Sequence, residues 1–169
     1  EDQRLHFVLY GDRGIGKTSI LRVLSKQAED AGYLICYVSC SETLTFADLA
    51  RRIAQRIPLL HHADYEPGSP EIEKGMHLSD ILPTGTIDVP TMSDALGRLS
   101  DTRILIMLDE FDRVATDEFR RSIAELIKNL SDSAAPAQLV IAGVASDLSE
   151  LVAQIPSIRR NVLGVLVPN

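Results

Sequence analysis

GDRGIGKTS, residues 11–19, is the stretch on which the fold turns. Gly11, Gly16, Lys17 and Thr18 fill the fixed places of the pattern G-x-x-x-x-G-K-[ST]. The apolar run LHFVLY (5–10) comes directly before it and reads as a strand. Residues 17–30 follow as a helix, with Ile20, Leu21, Leu24 and Ala28 on one face. A strand, a glycine-rich turn and a helix in this order build an anion cradle. Bare backbone N–H groups wrap phosphate oxygens, and a Cβ would block the approach. The helix adds its positive N-terminal end. Asp12, Arg13, Gly14, Ile15 and Ser19 complete the cradle around the fixed positions. Lys17 is placed to reach β- and γ-phosphates, and the Thr18 hydroxyl to ligate Mg²⁺. The plain alternative is a turn that only caps a helix.

A second stretch answers the first. ILIMLDEFDR, residues 104–113, ends an apolar run abruptly in Asp109 and Glu110, with Asp112 close behind. A buried strand that finishes in carboxylates needs a reason. If it lies beside the first strand, Asp109 meets Thr18 and holds Mg²⁺ through a water. Glu110 then orients or deprotonates the water that attacks the γ-phosphate. The competing reading makes Glu110 a solvated residue at a strand exit. Asp112 reads either as a local loop cap or as part of the chemistry.

The remaining chain alternates in the same manner. YLICYVS (33–39) is a strand. Thr45 and Asp48 form a capping box for a helix carrying Phe46, Leu49, Ile53 and Ile57, ended by Pro58. Residues 61–90 hold four prolines, three glycines and six acidic residues against one Lys, which predicts a long, mobile, acidic surface insertion. A short helix from Thr91 to about Ser100 follows, then a strand over 103–109. Thr116 caps a helix with Phe119, Ile123, Ile127 and Leu130 inward. LVIAGVA (139–145) is a fourth strand, Asp147 and Glu150 suggest a capping box for a short helix, and NVLGVLV (161–167) is a fifth strand. Continuously apolar strands are expected where both faces of a sheet are covered. The fold class is therefore a three-layer α/β/α domain with a parallel sheet, whose ligands bind outside the strands' carboxyl ends.

Composition narrows the partners. The chain has 169 residues, 45% of them hydrophobic, and a net charge of −7. Acidity of this size disfavours a large non-specific nucleic-acid surface. The basic pairs Arg51–Arg52, Arg120–Arg121 and Arg159–Arg160 are scattered and read as solvated faces, as does the pair His61–His62. Cys36 and Cys40, without a second pair or a nearby His, read as buried reduced thiols, which suits the cytoplasm. No apolar run reaches the roughly 18 residues of a membrane span.

Together, GDRGIGKT and ILIMLDEFD resemble the Walker A and Walker B motifs of the additional-strand P-loop ATPases. The resemblance is to the AAA+ and STAND-like branches, and within them to bacterial and archaeal ATPases related to replication initiators. It implies a five-stranded parallel sheet of order 2-3-4-1-5, ATP with Mg²⁺, and a domain spanning 1–169. It implies Lys17 and Glu110 as catalytic groups and Thr18 and Asp109 at the metal. It also implies a polar sensor residue at the end of the fourth strand. Ser146 is the near candidate there, but the fit is poor, because Gly143, Val144 and Ala145 occupy the tip, and Ser146 reads rather as a helix N-cap. Arg159 or Arg160, just before the fifth strand, matches the place of an arginine finger that reaches a neighbouring subunit's ATP, against the plain reading of a surface pair. Self-association through the nucleotide face follows from that. A helical lid would lie past residue 169, so the chain reads as one domain cut from a longer protein, with any nucleic-acid binding in other domains.

Rival nucleotide-binding classes lack their signatures. There is no base-reading N/T-K-x-D segment for a GTPase, no LSGGQ-like segment for a transporter ATPase, and no arginine-rich lid for a small-molecule kinase. Two functions stand: an ATPase that drives a conformational or assembly switch, and a nucleotide-gated interaction module with little or no hydrolysis.

Overall fold

The computed structural model describes residues 4–114 and 116–169. Five parallel strands form one sheet in the order β2-β3-β4-β1-β5. They are β1 (His6–Tyr10), β2 (Leu34–Ser39), β3 (Ile104–Asp109), β4 (Ala137–Gly143) and β5 (Val162–Leu166). The helices are α1 (Lys17–Asp30), α2 (Phe46–Gln55), α3 (Pro70–Glu73), α4 (Val89–Gly97), α5 (Asp117–Asp132) and α6 (Ala145–Gln154). This is the three-layer architecture and strand order expected from the two motifs.

Every residue of β3 is buried, which explains its unbroken apolar run. Side chains alternate between faces along a strand. Ile104, Ile106 and Leu108 therefore join Leu139 and Ile141 in one core, under α2, α4, α5 and α6. Leu105 and Met107 join Val140 and Ala142 in a second core, under α1. The alternation carries Asp109 to the α1 face, where Thr18 begins the helix. The same parity places Ile35 and Tyr37 of β2 against the α1 core.

The capping expectations are met at two helices. Thr45 Oγ1 accepts the Asp48 N–H at 3.1 Å while Asp48 accepts the Thr45 N–H. Thr116 Oγ1 accepts the Phe119 N–H at 3.2 Å. Elsewhere the structure corrects the reading. β4 ends at Gly143 and Val144 is the N-cap of α6, so Ser146 lies inside the helix and is not its cap. Asp147 pairs with the Val144 N–H at 2.7 Å, and Glu150 instead meets Arg120. α4 starts earlier than expected because Asp88 caps it, accepting from the Thr91 N–H at 2.8 Å. Pro90 sits in its first turn, where no N–H is needed.

The 61–90 segment is packed onto the domain, in place of the long mobile loop expected. Leu78, Ile87 and Val89 are buried in the larger core. Pro58 and His77 form an antiparallel bridge, as do His62 and Leu99. Arg51 donates to the carbonyls of Pro83 and Gly85 at 2.8 and 2.9 Å. Two surface assignments fall with it: Arg51 is a clamp, and His62 is buried with its ring edge-on to Tyr65. Arg120 departs too. It is 13% exposed and joins Glu150 of α6 at 3.0 Å and the Val114 carbonyl at 2.8 Å.

A candidate phosphate and metal site at the strand ends

The carboxyl ends of β1 and β3 carry the two motifs to one cavity of about 400 Å³. Arg13, Gly14, Gly16, Lys17, Thr18, Asp109, Glu110, Asp112 and Arg113 line it, with Ala142 of β4 between them. Five residues of the expected cradle, Arg13, Gly14, Gly16, Lys17 and Thr18, thus share one wall with the carboxylates of Asp109 and Glu110. Gly14 and Gly16 hold φ of +78° and +106°, and a Cβ at either would point into open space. The turn is therefore a bare, left-handed backbone concavity opening onto the cavity. Gly11 has a different reason. A Cβ there would meet the Val167 carbonyl at 2.8 Å, because the chain leaving β5 is tied to Tyr10 by a 2.8 Å backbone bond.

The Lys17 ammonium curls back over the turn and donates to the carbonyls of Gly11 and Asp12 at 2.7 and 2.8 Å. The Thr18 hydroxyl donates to Asp109 Oδ2 at 2.8 Å, across 91 residues of sequence. The other oxygen, Oδ1, accepts the Glu110 N–H at 2.8 Å. Glu110 sits at φ +52°, a conformation few non-glycine residues adopt, and this turns its side chain away from the strand direction. Its carboxylate lies 3.4 Å from both Arg113 and the Ser39 hydroxyl. Asp112 reaches Arg13 of the glycine-rich turn at 2.8 Å, so it ties the two motifs together.

Two contributions escaped the sequence reading: the bond from Tyr37, and the seat of Asp147, which the sequence marks only as a capping residue. Tyr37 donates from β2 to Asp109 Oδ2, the oxygen that Thr18 also uses. Burial, and then the bond to Asp109, raises its pKa above the ordinary tyrosine value. Asp147, 2% exposed, presses its carboxylate where a side chain at Gly143 would stand. Burial raises its pKa against the opposing bond from Val144. The lack of a side chain at Gly143 hints at the seat of Asp147, and nothing in the sequence marks Tyr37. Cys40 lies behind the carboxylates, and burial, then Asp109, pushes its thiol up to about 12. Cys36 is pushed up by burial to about 11. Both are free and buried, as expected.

The remaining candidates lie apart. Ser146 faces a second cavity with Asp12 and Arg13, and does not line the first. Arg159 and Arg160 are exposed in the turn before β5. Val162 pairs with His6 at the amino end of β1, whereas the glycine-rich turn follows its carboxyl end. The two arginines are therefore at the opposite end of the sheet from their own chain's cavity.

The donor set is hard oxygen. Among the described residues no group of three or more His, Cys, Asp or Glu side chains gathers to hold a metal. Thr18 and Asp109 alone suit an ion that keeps its waters and takes further oxygens from a bound phosphate, as Mg²⁺ does. The residues fit Mg²⁺ and fit no all-protein metal cage.

A family model described as "AAA domain" matches residues 1–152. The chain belongs to the AAA domain family. The AAA+ part of the resemblance read from the two motifs holds. Solved structures share the fold. Cdc6p from Pyrobaculum aerophilum is 18% identical, with a TM-score of 0.63 over 96% of this chain and 40% of that one. The Aeropyrum pernix ORC1 protein, solved in complex with DNA, is 18% identical with a TM-score of 0.53, over 97% of this chain and 39% of that one. A chain of Drosophila ORC bound to AT-rich DNA and Cdc6 is 11% identical, with a TM-score of 0.56 over 96% of this chain and 48% of that one. The AAA domain thus spans half or less of the length of these structural relatives. No curated protein matches the chain.

Proposed function

We propose that this AAA domain binds ATP with Mg²⁺, hydrolyses it, and uses the cycle to switch its arrangement against a lid and neighbouring copies. The 2.8 Å bond between Thr18 and Asp109 carries the reading. It joins a phosphate-cradling turn to a carboxylate at one cavity mouth, with Lys17 and Glu110 on the same wall.

Residues 11–19 would hold the triphosphate with backbone N–H groups, and Lys17 would leave its carbonyl partners for the β- and γ-oxygens. Thr18 and Asp109 would hold the Mg²⁺, which supplies neutralising charge to the phosphate oxygens. Glu110 accepts the proton of the attacking water. General-base help of this kind is worth roughly 10²–10⁴ in rate. Its exposed carboxylate must first turn from Arg113 and Ser39. Arg160 or Arg159 cannot serve its own cavity from the far end of the sheet. Either acts only in a neighbour's site, where an arginine finger contributes roughly 10³–10⁵. That makes self-association through the nucleotide face part of the proposal. Nucleic acid, where it is bound, is assigned to other domains of a longer, cytoplasmic protein.

One observation favours the second reading, a nucleotide-gated module with little or no hydrolysis. Glu110 is engaged by Arg113 and Ser39. Single-turnover hydrolysis of ATP, compared with Glu110→Gln, separates the two. A fall of about 100-fold or more is expected, and equal rates would remove hydrolysis from the account. Lys17→Ala should abolish Mg²⁺-dependent ATP uptake measured by calorimetry. If the unaltered chain takes up no ATP, both readings fail.

A further inference from the structure

Asp109 is held by three donors from three elements. The Glu110 N–H comes from the residue beside it, and the Thr18 hydroxyl from α1. The third is the Tyr37 hydroxyl, from β2. These donors differ in permanence. Thr18 belongs to the turn that must accommodate phosphate, and its oxygen is the one suited to a metal. Glu110 belongs to the turn after β3, in a left-handed conformation. Only Tyr37 stands on a strand of the rigid sheet, its ring packed against the core under α1. Register fixes its reach: Tyr37 pairs with Met107 and Ser39 with Asp109, so Tyr37 sits one step back on the same face as the carboxylate.

A carboxylate turns easily about its last torsion, which is broad and two-fold. Two donors on Oδ2 and one on Oδ1 leave little freedom. Tyr37 does not line the phosphate cavity, so it acts through Asp109 and not on a nucleotide. We infer that Tyr37 is a positioning residue for the metal site, aiming Asp109 so that the chain binds nucleotide at low Mg²⁺. The inference rests on the reading of Asp109 as the carboxylate beside Mg²⁺. Groups that orient metal-binding residues from behind typically cost 10–100-fold in metal affinity when removed.

The test titrates Mg²⁺ into the full chain with a fluorescent ATP analogue at fixed concentration, after a reference reading in EDTA. Four chains are compared: unaltered, Tyr37→Phe, Asp109→Asn and the double variant. Tyr37→Phe removes one oxygen and keeps the ring. It should raise the Mg²⁺ midpoint about tenfold or more, with affinity in EDTA unchanged. The double variant should match Asp109→Asn alone, because Tyr37 then has nothing to aim. A Tyr37→Phe midpoint within about twofold of the unaltered chain overturns the inference. So does an equal loss in EDTA, which would make the ring a packing element only, and so does a further loss in the double variant. A different result, unaltered protein with no Mg²⁺-dependent uptake, refutes the underlying ATP reading instead.

Discussion

Lowering the pH should loosen this domain through one histidine. His6 is 2% exposed in β1, and burial lowers its pKa from 6.5 to about 4. Its Nδ1 accepts the Leu139 N–H at 3.0 Å, and Leu139 lies on β4 just where the β1–β4 pairing starts. The imidazole thus stands in for a backbone acceptor at the end of the ladder and must stay neutral to do so. With the folded pKa below the unfolded one, the unfolded chain binds more protons between them, and stability rises with pH across that window. The contribution is complete above about pH 6.5 and is lost as pH falls towards 4. At about 1.4 kcal/mol for each tenfold change, the whole effect is about 3 kcal/mol, of which about 2 is gone by pH 5. Against a typical stability of roughly 5–15 kcal/mol, this is a large fraction. The assay is urea unfolding of the unaltered chain and His6→Asn at pH 8, 7, 6 and 5. Asn offers an oxygen near the Nδ1 position and does not titrate there, while the carboxylates common to both chains cancel in the difference. The advantage of His6 over Asn should shrink by about 2 kcal/mol from pH 7 to pH 5. A difference that stays flat refutes the reasoning, since His6 would then titrate alike in both states.

Two further substitutions test packing. Gly143→Ala would set a Cβ 2.2 Å from the Asp147 carboxylate, which is buried and committed to Val144. The loss of that bond should cost about 1–3 kcal/mol, read as a fall in melting temperature of about 3–10 °C. An unchanged transition would mean that α6 can shift freely. Leu78→Ala, at a fully buried anchor of the 61–90 segment, should cost about 2–5 kcal/mol in urea unfolding. The exposed Glu66→Ala in the same segment should stay within about 0.5 kcal/mol. Equal, small effects would make the segment the loose loop that its composition suggested.

What the sequence discloses depends on how local the cause is. The glycine-rich turn is legible because its chemistry lies in nine consecutive residues. β3 is legible because burial on both faces leaves a continuous apolar run. Tyr37 is not, because a tyrosine in a strand looks like any half-buried strand residue. Its meeting with Asp109 arises only from the β2–β3 register. The 61–90 segment misleads for a related reason. Its prolines, glycines and acids dominate the composition, whereas a few spaced residues, Leu78, Ile87 and Val89, decide where it sits. Arg51 and Arg120 read as solvated because charge alone was visible, and the Pro83 and Gly85 carbonyls that hold Arg51 and the Glu150 carboxylate that meets Arg120 lie about 30 residues away.

The missing polar residue at the end of β4 has a geometric cause. β4 lies between β3 and β1, so Thr18 and Asp109 must meet across its tip. Neighbouring strands stand about 4.8 Å apart, which sets β1 and β3 about 10 Å apart. A direct 2.8 Å bond between side chains spanning that gap leaves little height above the middle strand. Ala142 and Gly143 are the residues there: Ala142 lines the cavity floor, and Gly143 gives its space to Asp147. A larger polar side chain on the α1 face of this tip would stand between the two groups it is meant to watch. The small residues at the end of β4 and the bond above them are therefore one feature. Beside Arg13, Lys17, Thr18 and Asp109, the further polar groups facing the cavity come from the turn after β3, where Glu110, Asp112 and Arg113 have room.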